Sequence, residues 1–292
     1  MRSIRCLVGV STVLLLGATA CSDGSDSSTT TRLDVVTTTT ALAKPTVSIP
    51  DEAPTELVTT DLITGNGPAA EVGDNVLVYY VGVLTADGTE FDSNYGGEPI
   101  EFFLGAGRVI QGWDLGLIGA QQGTRRQLDI PSELAYGDSP PSGGAGPIKA
   151  GAALSFVVDV VVVIPTADKS EEPQITVAPA GNIAVLQTTD LIVGDGPTPQ
   201  DGQSVAIQIM TYRADTGQQL ASDWGVPPLE FSYSAQSQVF PGLLAAVNDM
   251  HVGGRRQTQL PFLLMFDGQG SPDFGLPADI DVVVVIDLVA VW

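Results

Sequence analysis

Tyr80, Phe91, Trp113, Tyr136 and Phe156, with the carboxylate Asp92, have the types and spacing to line a small cup. Around the tryptophan the chain reads Gly105-Ala106-Gly107-Arg108-Val109-Ile110-Gln111-Gly112-Trp113. Val109, Ile110 and Trp113 fall at i, i+1 and i+4, so the first turn of a helix would set them on adjoining faces. Gly112, without a Cβ, leaves room for something to approach closely. No serine elbow, phosphate loop, nucleophile–base pair or metal cluster stands nearby in the sequence. Such a site works by shape and hydrogen bonds, and one reaction suits it: rotation about an X–Pro peptide bond. The barrier is about 18–20 kcal/mol, while cis and trans differ little in energy. Catalysis then needs only a pocket that holds the twisted amide better than the planar one.

Each of these residues also has a plainer reading. Taken singly, Tyr80, Phe91, Trp113 or Phe156 is a core aromatic. Asp92 could serve only as an acceptor for Tyr80, and Tyr136, beside a Gly/Pro loop, could be a surface tyrosine. Their joint occurrence favours the cup. Arg125-Arg126 and Arg255-Arg256 read as solvated strand charges paired with acids, and His251, the only histidine, as a surface imidazole.

The 292 residues suffice for two domains, and 43% hydrophobic against 16% charged residues supports a real core. The net charge of −22 repels phosphate backbones, which argues against a nucleic-acid partner. Both cysteines, Cys6 and Cys21, lie near the N-terminus, so a mature domain would have no internal disulfide. Arg2 and Arg5 precede an apolar run, Cys6 to Leu16, and the small residues Gly17 to Ala20, which is the pattern of a signal peptide over 1–20. Cys21 then stands where a bacterial lipobox cysteine is lipidated, although Ala18 replaces the usual leucine three residues before it. The expected location is extracytoplasmic, on the outer face of a bacterial membrane through the Cys21 lipid, or secreted if Cys21 stays unmodified. Residues 21–55, rich in Ser, Thr and Pro, read as a flexible tether.

An internal repeat organises the rest. Thr59-Thr60-Asp61-Leu62-Ile63-Thr64-Gly65-Asn66-Gly67-Pro68 returns 129 residues later as Thr188-Thr189-Asp190-Leu191-Ile192-Val193-Gly194-Asp195-Gly196-Pro197. Pro99-Ile100-Glu101-Phe102 is echoed by Pro228-Leu229-Glu230-Phe231, and Gly123-Thr124-Arg125-Arg126-Gln127 by Gly253-Gly254-Arg255-Arg256-Gln257. Two long copies mean two homologous domains, 56–166 and 182–292, with a linker over 167–181. In the first, Val76 to Val83 alternates as a strand, Phe102 to Leu104 and Arg126 to Ile130 are shorter strands, and Leu154 to Ile164 is a continuous apolar one. Only Gln111 to about Ala120 reads as helix, weakened by its glycines. The fold class is therefore α+β, an antiparallel sheet curled over one short helix, made twice; the second copy ends in a strand over Ile280 to Val291.

Val78-Tyr79-Tyr80-Val81-Gly82, Gly88-Thr89-Glu90-Phe91-Asp92-Ser93, Val109-Ile110-Gln111-Gly112-Trp113 and Ile130-Pro131 through Ala135-Tyr136-Gly137 resemble, in order, the motifs of FKBP-type peptidyl-prolyl isomerases. The resemblance runs from Leu57 to Ile164. It implies a half β-barrel wrapped on a short helix, no cofactor and no metal. It implies Trp113 at the floor of a proline pocket, Tyr80, Phe91 and Phe156 as walls, Val109 and Ile110 along the rim, and Ile148 among the substrate-binding residues. The Ile110 N–H and the Tyr136 hydroxyl would bond substrate carbonyls, and Asp92, held by Tyr80, would polarise or orient the amide; Asp92, Tyr136 and Tyr80 form the expected catalytic set. Partners so implied are proline-containing segments of exported proteins, and macrolides. Two features depart from the family: Ile100 stands in place of a wall aromatic, and the loop from Asp138 to Pro147 is longer and lacks a histidine.

Aligned on the repeat, Tyr80 becomes Ile209, Phe91 Leu220, Asp92 Ala221, Trp113 Leu243, Tyr136 Phe266 and Phe156 Val284. The second copy is expected to keep the fold and lose the chemistry. The competing function is a non-catalytic peptide-binding chaperone or scaffold module at the cell surface.

Overall fold

Alternation along Val76 to Val83 translates into a strand whose two faces have different fates. The computed structural model describes residues 43–292 except 145, 266 and 267, so Cys21, the signal segment and Phe266 lie outside the described residues. The first repeat contains β1 (Val58–Ile63), β2 (Asn75–Leu84), β3 (Glu90–Ser93), β4 (Ile100–Phe103), α1 (Gln111–Gly116), β5 (Arg125–Ile130) and β6 (Leu154–Ile164). They form one antiparallel sheet in the order β1-β5-β6-β2-β3, with β4 also paired to β2. Val76 and Val78 point into the core that includes Trp113, Leu117 and Leu128, with Tyr80 packed against it. Full burial of a leucine such as Leu117 or Leu128 contributes about 2 kcal/mol. Leu77, on the opposite face, is covered by the second repeat.

The second repeat reproduces this plan with β7 (Gln187–Ile192), β8 (Ser204–Arg213), β9 (Gln219–Ser222), β10 (Leu229–Ser232), α2 (Pro241–Val247), β11 (Arg255–Leu260) and β12 (Val282–Val291). Its sheet runs β10-β8-β12-β11-β7, with β9 on β8. Register confirms the repeat alignment, since Gly82 pairs with Phe156 and Asp92 as Thr211 pairs with Val284 and Ala221.

The helix α1 is shorter than the sequence predicts, ending at Gly116 and not near Ala120. Six residues with two glycines and no side-chain N-cap do not hold a helix in water. Packing holds it. A Cβ on Gly112 would run into the Ile130 side chain, and one on Gly116 would lie 2.8 Å from Leu128. The close approach that Gly112 permits is therefore made by a core side chain of β5, not by a ligand. At the other end, Arg126 donates to the carbonyls of Gly116 and Ile118 at 3.0 and 3.2 Å and pairs with Asp61 at 2.6 Å. Arg126 thus caps the helix C-terminus. Arg256 does the same through the Ala246 and Asn248 carbonyls and pairs with Asp190. These arginines pair with acids as the sequence reading holds, but they are largely buried and not solvated.

The two repeats meet through equivalent patches. Leu77, Val162 and Ile164 pack with Ala206 and Ala290, flanked by Val161, Val289 and Trp292. The echoed glutamates meet here too: Asn75 Nδ2 donates to Glu101 at 2.6 Å and to Glu230 at 3.0 Å. Burial pushes the Glu230 carboxyl up, the Asn75 hydrogen bond opposes this, and the Glu101 charge adds to it.

Composition assigns 43–55 to the tether and 167–181 to a linker, yet both stretches pack on their domains. Gln127 Nε2 donates to the Ser48 carbonyl at 2.9 Å, and Lys44 pairs with Glu90 at 2.7 Å. In the second repeat Val177 is buried with Met210, Tyr212, Trp224 and Val283, and Gln259 Nε2 donates to the Gly181 carbonyl at 2.8 Å. Each repeat is thus preceded by a strap fastened to its own sheet.

Candidate active site

The cup is built where β2, β3, the loop into α1 and β6 converge. Trp113, 3% exposed, meets Tyr80 edge-on at 5.1 Å between ring centroids and Phe156 edge-on at 5.3 Å. Phe91 in turn meets Phe156 edge-on at 5.6 Å. Edge-to-face contacts of this kind contribute about 0.5–1.5 kcal/mol each beyond burial and fix the ring orientations. Gly82 is required beneath them, because a Cβ there would lie 2.7 Å from both Phe91 and Phe156.

The loop into α1 is held by Asp114, whose carboxylate accepts from the backbone N–H of Gly105 and Gly107 at 2.9 and 3.0 Å. Both glycines have positive φ, +79° and +67°, which an L side chain rarely adopts. This anchoring delivers Val109 and Ile110 to the rim. Ile110 is the N-cap residue, extended at φ −62° and ψ 148°, and its N–H has no acceptor among the described residues.

One polar pair sits at the lip. The Tyr80 hydroxyl donates to Asp92 Oδ2 at 2.6 Å, while Asp92 Oδ1 accepts from the Ser93 N–H at 2.9 Å. Burial, then the hydrogen bond and charge of Asp92, raises the Tyr80 phenol well above its usual value, so it stays protonated as a donor. The Tyr136 phenol, 36% exposed, is also raised, by burial and then by the Asp92 charge. The cavity holds about 200 Å³.

Of the residues singled out from sequence, Tyr80, Phe91, Asp92, Val109, Ile110, Trp113, Tyr136 and Phe156 all line this cavity. Ile148 does not. It is 6% exposed and belongs to the core cluster, so it supports the cup from within. Ile100 lines the wall, as its position in the motif order suggests, and exposed Arg108 lines the mouth. Arg108 escaped the sequence reading because an arginine between a glycine turn and an apolar pair has no periodic signature. Among the described residues no group of three His, Cys, Asp or Glu side chains is placed to hold a metal. His251 Nδ1 lies 2.8 Å from the Gly196 carbonyl, to which it donates.

The model of the FKBP-type peptidyl-prolyl cis-trans isomerases matches this chain twice, over 67–161 and 196–289. The chain belongs to that family. This FKBP carries the family domain in tandem, and its activity is the cis–trans isomerisation of X–Pro bonds. It is 46% identical over 125 residues to an FK506-binding protein of Streptomyces anulatus, a match covering 42% of this chain and 99% of that one. Over 90 residues it is 51% identical to FK506-binding protein 2 of Aspergillus fumigatus, covering 30% of this chain and 64% of the fungal one. This FKBP thus spans just under two thirds of its fungal relative's length. Among solved structures, FkpA from Escherichia coli is 37% identical, covering 42% of this chain and 54% of that one, with a TM-score of 0.34.

Proposed function

We propose that this FKBP isomerises X–Pro bonds of exported proteins from a lipid anchor at Cys21, and that the first repeat is the working site. The observation that supports the site is the Tyr80–Asp92 hydrogen bond at the lip of a floor made by Trp113 and Phe156. A proline ring seated on the indole would place its amide against Asp92, the Tyr136 hydroxyl and the Ile110 N–H. Removing water from the carbonyl disfavours the charge-separated resonance form and lowers the torsional barrier. No bond is made or broken, so the reaction itself calls for no cofactor. X–Pro isomerisation is slow enough to limit folding, which gives an exported client reason to meet such an enzyme.

Because nothing here forms a covalent intermediate, single substitutions should weaken activity without abolishing it. Asp92→Leu and Tyr136→Phe are expected to lower kcat/KM by about ten- to a thousand-fold in a protease-coupled proline-peptide assay. Macrolides of the kind this family binds should compete for the same cup. Full activity in both variants would remove these residues from the site. The anchor rests on the sequence alone: the Cys21→Ser protein should leave the membrane fraction, and unchanged retention would sink the lipid reading.

A further inference from the structure

The second repeat does not close the place where the first has its cup. A cavity of about 390 Å³ stands there, against about 200 Å³ in the first repeat. Its walls include Ile209, Leu220, Leu229, Val239, Leu243 and Met265. Four rings have gone at the aligned positions, Tyr80 to Ile209, Phe91 to Leu220, Trp113 to Leu243 and Phe156 to Val284, while Gly82 to Thr211, Ile110 to Phe240 and Ala135 to Met265 add volume back. A copy kept merely as a spacer would gain stability by filling this space, since uncovered apolar volume forfeits packing and exposes hydrophobic surface. The space stays open, with Phe240 and Phe274 at its edge 38% and 48% exposed.

Two details say what it would take. The lip has lost its carboxylate and the phenol that held it, Asp92 to Ala221 and Tyr80 to Ile209, and the carboxyl that remains in the lining, Asp223, accepts from the Ile209 N–H. The rim backbone, by contrast, is retained: the α2 N-cap Phe240 has φ −61° and ψ 140°, matching the φ −62° and ψ 148° of Ile110. A retained backbone rim beside an enlarged aliphatic pocket fits an extended peptide whose side chain is bulkier than proline.

We infer that the second repeat of this FKBP is a non-catalytic binding site for large apolar side chains, leucine, methionine or phenylalanine, of extended polypeptide. An unfolded client could then be held at one cup while its prolines are worked at the other, the two being fixed by the shared patch around Leu77 and Ala290. The inference does not depend on which residues catalyse in the first repeat.

The test uses the full mature chain and a fluorescein-labelled, proline-free peptide with a central Leu-Phe pair and glycine and serine flanks. Anisotropy should show it binding at least about tenfold tighter than the same peptide with Ser-Ser at the centre, as expected from burying one or two apolar side chains. Ala221→Trp, which fills the cavity, and Leu229→Glu, which charges its exposed mouth, should each remove that preference. Both should isomerise a short proline peptide at the wild-type rate, and Asp92→Leu should bind the probe normally. Leu229 is 40% exposed, so its variant should fold even where the tryptophan does not fit. Equal binding of the two peptides, unchanged binding in Leu229→Glu, or loss of binding only in Asp92→Leu would overturn the proposal.

Discussion

The two repeats share a sheet, a helix and a repeated opening motif, and they differ at the cup in a coordinated way. Where the first repeat has Gly82 under two phenylalanine rings, the second has Thr211 beside Leu220 and Val284, and the threonine fits because the rings are gone. The helix–sheet seam shows the same exchange: Gly116, which abuts Leu128, aligns with Ala246, and Leu128 with the smaller Thr258, both fully buried. The opening motif is different in kind. Asp61 and Asp190 hold the arginines that cap the helices, while Gly65 and Gly194 lie where a Cβ would strike the Gln122 and Val252 carbonyls. Scaffold residues are retained singly because each meets backbone or a charge partner that cannot move. Cup residues change together because side chains that touch only one another can be exchanged as a set.

Making the first cup a copy of the second is the harshest way to break this comparison. The triple variant Phe91→Leu, Asp92→Ala, Trp113→Leu in the full chain should lose about a thousand-fold in kcat/KM, about 4 kcal/mol of transition-state stabilisation. Activity above a tenth of wild type would locate isomerisation in the second repeat as well.

A smaller effect tests the coordination itself. Gly82→Thr should destabilise the first repeat by about 2 kcal/mol, because its Cβ meets rings 2.7 Å away. In a Phe91→Leu, Phe156→Val background the same change should cost far less. Equal penalties in both backgrounds, read from denaturant midpoints, would show that the exchange is not coupled.

The smallest effect concerns Asn94 and its counterpart Asp223. Asn94 Oδ1 accepts from the Tyr80 N–H at 2.7 Å, while its Nδ2 donates to the Val78 and Glu98 carbonyls. Asp223 Oδ1 likewise accepts from the Ile209 N–H at 2.7 Å, but its other oxygen is buried without a partner. Burial pushes this carboxyl up to about 6, opposed by the backbone N–H groups of Ile209 and of Asp223 itself; Asp287 raises it slightly and Lys169 lowers it. With the folded value raised, the folded protein keeps a proton that the unfolded chain releases between the ordinary 3.8 and about 6. Stability from this group therefore falls as pH rises through that window and stays low above it. Asp223→Asn should restore the donor and stabilise the second repeat by about 1 kcal/mol at pH 7.5, after allowance for partial exposure, and by almost nothing at pH 3.5. A gain of the same size at both pH values would mean the carboxyl is not the cause.

Much of this was legible in the sequence, and the reason is locality. Alternation gave β2, the apolar run gave β6 almost residue for residue, and the 129-residue offset gave two domains, because strand periodicity and repetition are properties of the chain itself. The cup's membership was legible through the spacing of Tyr80, Phe91, Asp92 and Trp113, although Ile148 went to the core and Arg108 came to the mouth. Only the tertiary structure decided what Gly112 makes room for, where α1 stops, and that the straps at 43–55 and 167–181 lie fastened to their sheets. It also decided that Glu101 and Glu230 share Asn75, and that losing four rings opened a cavity and did not close one. Each of these depends on which distant side chain fills a given volume, a quantity set by packing between elements and written in no local pattern.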